Sequence, residues 1–157
     1  MTQKSVLAVL TSGGDAPGMN AAVVAVTKTA LSEGWTVLGV QDGYEGLMKG
    51  TWSHLVASDV DELNRSGGTF LRTARSSGFR DPEGRQRAAQ RLQGAGCSTL
   101  VVIGGNGSLT GAMHLAAETD IRVIGIPASI DNDIACTSMC IGVDTAINSI
   151  VEACDKI

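Results

Sequence analysis

Aromatic side chains are scarce: two tryptophans, one tyrosine and two phenylalanines make up 3% of the 157 residues. A core must therefore be aliphatic, and a hydrophobic content of 43% supplies enough for a single domain of this length. Only two histidines occur, His54 and His114. The four cysteines, Cys97, Cys136, Cys140 and Cys154, contain no CxxC pair. A zinc cluster or disulfide framework is not expected; reduced thiols in a cytoplasmic protein are. No apolar run is long enough to span a membrane. The opening segment MTQKSVLAVL has too short an apolar run for a signal peptide. Basic residues do not predominate: 12 Lys and Arg stand against 16 Asp and Glu, for a net charge of −4. No basic stripe for nucleic acid is present, and an anionic ligand would have to be met by local cations.

What is present is glycine, 20 residues of it, spread without a repeat. The chain alternates apolar runs, glycine-rich loops and helical patterns. Residues 5–10, 35–40, 98–103 and 121–126 read as strands, the first and last two as buried core strands. Helices are expected from Pro17 to about Glu33, from Pro82 to Gln93, from the loop at 104–108 to about Thr119, and over 144–157. Residues 43–82 read as irregular, and 127–139 as a polar loop. The pattern predicts an α/β fold: a Rossmann-like, three-layer parallel sheet with helices on both faces.

Two loops, 11–18 and 104–108, each follow a strand and open a helix. Ligands of α/β sheets bind beyond the carboxyl ends of strands, where free N–H groups and the helix dipole favour phosphate. Familiar phosphate motifs do not fit. Met19-Asn20 stand where a Walker A loop needs Lys-Ser/Thr, and after the glycines 105, 107 and 111 no acidic residue marks the end of a following strand to grip a ribose. The segment IPASIDND carries Asp131 and Asp133, two carboxylates directly after a strand. They could receive a hydroxyl proton or help hold a divalent cation, as phosphoryl transfer requires. Arg72, Arg75 and Arg80, in a glycine-flanked loop, suit bidentate phosphate contacts.

TSGGDAPGMN, GGTFLRTAR, VVIGGNGS, IGIPASIDND and GVDTAINSI occur in that order, and together they resemble the 6-phosphofructokinase family over residues 5–157. The resemblance implies ATP and Mg²⁺ as co-substrate and metal, and fructose 6-phosphate as acceptor. Gly14, Arg75, Ser76, Arg80, Gly105, Asn106, Gly107 and Ser108 would bind the nucleotide, with Asn106 at the metal. Ser129, Ile130, Asp131 and Asp133 would meet the sugar, Asp131 taking the proton from its 1-hydroxyl. Gly14 and Arg75 would also assist the transfer.

The resemblance further implies a homotetramer, and a second, sugar-phosphate domain beyond Ile157 without which residues 1–157 are not expected to catalyse. Pyrophosphate users of the family carry Asp directly after the metal-site residue and Lys before the catalytic aspartate. Gly107 and Ala128 stand there, favouring ATP. Two departures are specific. Asn106 replaces the family's usual aspartate, which lowers the expected Mg²⁺ affinity and leaves a non-catalytic nucleotide-binding subunit or sensor as an alternative. Val24 stands where bacterial relatives often place an effector-binding arginine.

Overall fold

A computed structural model describes residues 5–157; the expectation for the N-terminal segment lies partly outside them. Five strands form one sheet: β1 (Val6–Ser12), β2 (Thr36–Val40), β3 (Trp52–Leu55), β4 (Cys97–Gly104) and β5 (Arg122–Pro127). Their order is β3-β2-β1-β4-β5. The helices are α1 (Met19–Ser32), α2 (Gly43–Lys49), α3 (Ala57–Val60), α4 (Pro82–Gly94), α5 (Asn106–Glu118) and α6 (Val143–Cys154). Two 3₁₀ turns, Leu63–Arg65 and Gly78–Arg80, punctuate the middle segment.

Strand alternation explains the layers. On β1, Ala8 and Leu10 face one side and pack with Leu47, Leu92, Ala112 and Leu115 of α2, α4 and α5. Leu7 and Val9 face the other and pack with Met19, Ala22 and Val23 of α1. Both faces of β1 are thus buried, which is why it reads as an unbroken apolar run. The aliphatic core expected from the shortage of aromatics is found: its largest fully buried side chains are Leu, Ile, Val and Met.

Five expectations need correction. The sheet is mostly but not wholly parallel, because β3 pairs antiparallel with β2. This edge strand and α2 fall in the segment read as irregular; Trp52-Ser53-His54-Leu55 has too short an apolar pattern to announce a strand. Pro17 does not open α1: the helix starts at Met19, with Gly18 as its N-cap at φ 98°, a left-handed backbone that glycine tolerates. Asn106, Gly107 and Ser108 belong to the first turn of α5 and not to a loop. Finally, β5 is a sheet edge and not a core strand, with Ile124 53% exposed. An apolar groove of about 410 Å³ lies between α1 and this edge, with Val26, Trp35 and Ile126 among its walls. The described residues contain no helix long and apolar enough to cross a membrane.

Where the loops converge, backbone approaches backbone. Ser12 and Gly104 are register partners at the ends of β1 and β4. A Cβ on Gly104 would run into the carbonyl oxygen of Ser12 and lie 3.0 Å from Cβ of Ser108. Gly107, by contrast, has nothing within 4 Å of such an added atom. Gly104→Ala should therefore destabilise the fold by about 3 kcal/mol, as overpacking against backbone does. Gly107→Ala should leave stability within about 1 kcal/mol, or raise it through helix propensity. Urea unfolding midpoints of the two variants check the contrast.

Candidate functional site

One cleft of about 1260 Å³ opens along the carboxyl edge of the sheet. Its walls come from four places: residues 12–15 after β1, Tyr44 after β2, 105–108 after β4 and 128–133 after β5. The loop 73–80 closes the β2 side. From β2 to β5 is three strand spacings, or about 14 Å. All twelve residues expected at the site line this cleft: Gly14, Arg75, Ser76, Arg80, Gly105, Asn106, Gly107, Ser108, Ser129, Ile130, Asp131 and Asp133.

The β4 end supplies donors. Gly105, with no side-chain oxygen, is the N-cap of α5, and no side chain caps the first turn. The free N–H groups there and the positive end of the helix dipole face the cleft walls formed by 105–108. Ser108 is more than a cleft residue. Its hydroxyl donates to Ser12 Oγ at 2.9 Å, and its carbonyl accepts from the Tyr44 hydroxyl at 2.6 Å. It therefore ties three strand ends together. Gly13 completes the contact: its φ of 93° lies in the left-handed region, and an added Cβ would sit 3.2 Å from Ser108 Oγ.

The β5 end supplies carboxylates. Ala128 N–H donates to the Gly104 carbonyl at 3.0 Å, which pins this exit to the neighbouring loop. The Asp131 N–H donates to Ser129 Oγ at 3.1 Å. Asn132 adopts φ 51°, and its side chain fastens the following loop, accepting from Cys140 N–H at 3.0 Å and donating to the Ser138 carbonyl at 3.3 Å. The side chains of Asp131 and Asp133 make no hydrogen bond or ion pair among the described residues.

The cations arrive on a segment whose one regular piece is the short 3₁₀ turn Gly78–Arg80, and side chains from elsewhere hold it. Buried Asn20 of α1 accepts from Phe70 N–H at 2.8 Å and donates to the Ser66 carbonyl at 3.1 Å. Thr11 donates to the Arg72 carbonyl at 2.8 Å. The Thr69 hydroxyl donates to Asp15. Ser76 donates to Glu45 at 3.1 Å and accepts from Phe79 N–H at 3.3 Å. Bonds from Lys49 and Ser76 hold the Glu45 carboxyl below its usual value.

Arg75 and Arg80 are left without a carboxylate partner among the described residues. Arg72 does not join them, correcting its grouping with the phosphate arginines. It does not line the cleft; its backbone is left-handed at φ 58°, and its guanidinium pairs with Asp42 at 2.9 Å. Lys28, the base one turn from Val24, pairs with Asp61 at 2.7 Å.

Sequence reasoning missed Tyr44, Phe79, Arg85 and His114, which also line the cleft. Tyr44 had a signal, since it follows the turn at the carboxyl end of a strand; the others lie on helices or turns whose facing sequence does not reveal. The Tyr44 and Phe79 rings stack at 3.8 Å with their planes 12° apart.

A phosphofructokinase family model matches residues 6–157. The chain belongs to the phosphofructokinase family. It is 54% identical over 151 residues to the ATP-dependent 6-phosphofructokinase of Thermotoga neapolitana, covering 96% of this chain and 47% of that protein. It is 49% identical to ATP-dependent 6-phosphofructokinase 2 of Bacteroides thetaiotaomicron, covering 96% and 46%. The chain thus spans about half the length of these family members. Among solved structures, Pichia pastoris phosphofructokinase in the T-state matches with a TM-score of 0.93 and 39% identity, over 99% of this chain and 18% of that one. A pyrophosphate-dependent phosphofructokinase from Marinobacter aquaeolei shares the fold, with a TM-score of 0.83 at 21% identity over 95% of this chain and 41% of that one.

The clamp on the arginine loop is open to test. Asn20→Ala leaves the Phe70 N–H and the Ser66 carbonyl without this partner, so it should destabilise the protein by about 1–3 kcal/mol. Amide exchange over residues 66–72 should rise while β4 stays protected, as measured by hydrogen–deuterium exchange.

Proposed function

We propose that the full-length protein transfers the γ-phosphoryl group of ATP to the 1-hydroxyl of fructose 6-phosphate. The observation that carries this reading is that Asp131 shares one cleft with the free N–H groups at the start of α5 and with Arg75 and Arg80. Cations and amide donors stand towards the β2 and β4 side, and carboxylates towards β5. A polyanion and a hydroxyl acceptor can lie side by side along such an edge.

In this reading the amides of Gly105, Asn106 and Gly107 and the guanidinium groups of Arg75 and Arg80 neutralise the phosphates, with Gly14 allowing close backbone approach. Ser129 and Ile130 shape the acceptor's place. Asp131 receives the hydroxyl proton as the new P–O bond forms; a weak base suffices when the transition state is loose and the proton leaves late.

The donor set also suits Mg²⁺: it is hard oxygen, from the Asn106 carboxamide and the nearby carboxylates. No group of three or more His, Cys, Asp or Glu side chains could hold a metal among the described residues. Mg²⁺ typically takes one or two protein oxygen ligands and completes its shell with water and substrate phosphates. Bound there, Mg²⁺ would offset charge on the β- and γ-phosphates. Asn106 would ligate it and Asp133 would support the surrounding charge.

ATP is favoured as donor. The relatives near 50% identity are named ATP-dependent, whereas the pyrophosphate-dependent structure at 21% identity speaks only for the fold. Gly107 leaves open space where a longer donor would extend. One residue favours a second reading, a nucleotide-binding subunit without turnover: Asn106 brings no charge to the metal.

Turnover assays of the full-length protein with ATP and with pyrophosphate separate these readings. Product with ATP is expected; product with pyrophosphate alone would reverse the donor, and MgATP binding without product would favour the sensor. Asp131→Ala should lower kcat by about 10²–10⁴ while MgATP affinity changes little. Equal losses in both would make Asp131 structural. Asn106→Asp should lower the Mg²⁺ concentration for half-maximal rate by about tenfold, since ligand charge sets the strength of such sites.

A further inference from the structure

A third arginine borders the cleft, and its bonding sets it apart. Arg85, on the second turn of α4, is only 6% exposed. Its guanidinium grips Glu118, the last residue of α5, through two parallel bonds: Nε to Oε2 at 2.6 Å and Nη2 to Oε1 at 2.7 Å. Its Nη1 donates twice more, to the Phe79 carbonyl at 3.0 Å and the Arg80 carbonyl at 2.6 Å. A guanidinium has about five N–H donors, so one at most is left for a ligand. Arg85 is therefore poorly suited to bind phosphate itself. Arg80, five residues earlier in the turn before α4, has no carboxylate partner among the described residues, but its backbone is held by Arg85.

We propose that Arg85, fixed by Glu118, is a positioning residue that holds the 78–80 turn so that Arg80 points into the phosphate side of the cleft. The proposal rests on the phosphate-binding reading above. Two features support it. The two carbonyls it holds close the 3₁₀ turn Gly78–Arg80, whose internal support is slight: Arg80 N–H to Ser77 O at 3.1 Å and Asp81 N–H to Gly78 O at 3.4 Å. A turn of this kind, with few bonds and poor geometry, relies on contacts from outside it; the buried Phe79 ring anchors its middle against Tyr44, and the Arg85 bonds hold the carbonyls of Phe79 and Arg80. The fork also cannot be replaced by a point charge. Lysine lacks the planar geometry that reaches a carboxylate and two carbonyls together. In support, the Glu118 carboxyl is held below its usual value by the Arg85 bond, and Arg85 above its own, so both stay charged.

The test uses the full-length protein with Glu118→Gln, and Arg85→Lys as the second variant should the first fold poorly. Two measurements are made. Hydrogen–deuterium exchange without nucleotide reads the clamp: amides 78–81 should exchange faster in either variant while β4 is unchanged. MgATP titration and steady-state kinetics read the consequence: Kd and KM for MgATP should rise about tenfold, with KM for fructose 6-phosphate within about twofold. Unchanged exchange over 78–81 overturns the clamp. Faster exchange with unchanged MgATP affinity, or a lowered melting temperature as the sole effect, overturns the positioning role and leaves a strut between α4 and α5. If the unsubstituted protein binds no MgATP, the nucleotide reading fails and the positioning role with it; the exchange result still judges the clamp.

Discussion

The site depends on the meeting of β1 and β4 at their carboxyl ends. Parallel pairing brings Ser12 opposite Gly104, and the missing side chain of Gly104 lets the two backbones touch. Each later feature hangs on that contact. Ser108 can reach Ser12 because α5 begins two residues after Gly104. Ala128 reaches the Gly104 carbonyl, which brings the aspartate loop alongside. Tyr44 reaches the Ser108 carbonyl from the β2 side. The cleft is a set of loops indexed to a single strand-end contact, and its precision is that of the sheet.

Charge follows the same indexing. The chain is acidic as a whole, at −4. A cleft that is to meet an anion must then do so by placement of its cations, and the placement is economical. Four arginines fall between residues 65 and 80, but two are spent on Glu62 and Asp42. The two left without carboxylate partners among the described residues are those that line the cleft. The loop that carries them has no ladder bonds, so side chains from α1, β1 and α4 take over the work of secondary structure.

Much of this was legible in the sequence because local patterns coincided with global ones. Core strands β1 and β4 were continuous apolar runs, and the loops after them carried glycine. Gly14, the 105–108 residues and the 129–133 residues line one cleft because each sits within a few positions of a strand end, where the α/β rule places ligands, whereas Arg75, Ser76 and Arg80 are carried there by the long segment between β3 and β4. What escaped was decided by tertiary neighbours. β3 is four residues long and identified by its pairing alone. Arg72 and Arg75 look alike as letters; Asp42, 30 residues before Arg72, separates their fates. Arg85 sits on an ordinary helical face until Glu118, 33 residues on, captures it.

The scarcity of aromatic rings gives the Tyr44–Phe79 stack an unusual practical value. Tyr44 is the one tyrosine of the chain, and it joins the start of α5 to the arginine loop through its hydroxyl and its partner ring. Burial drives its hydroxyl well above the ordinary phenolic range, so it stays protonated and donating across the whole working range of pH. Within these 157 residues any ultraviolet signature of tyrosine comes from that single ring, at the seam where the two walls meet. Any change in the packing of the 73–80 loop against the start of α5 must therefore be felt at this one residue, which touches both.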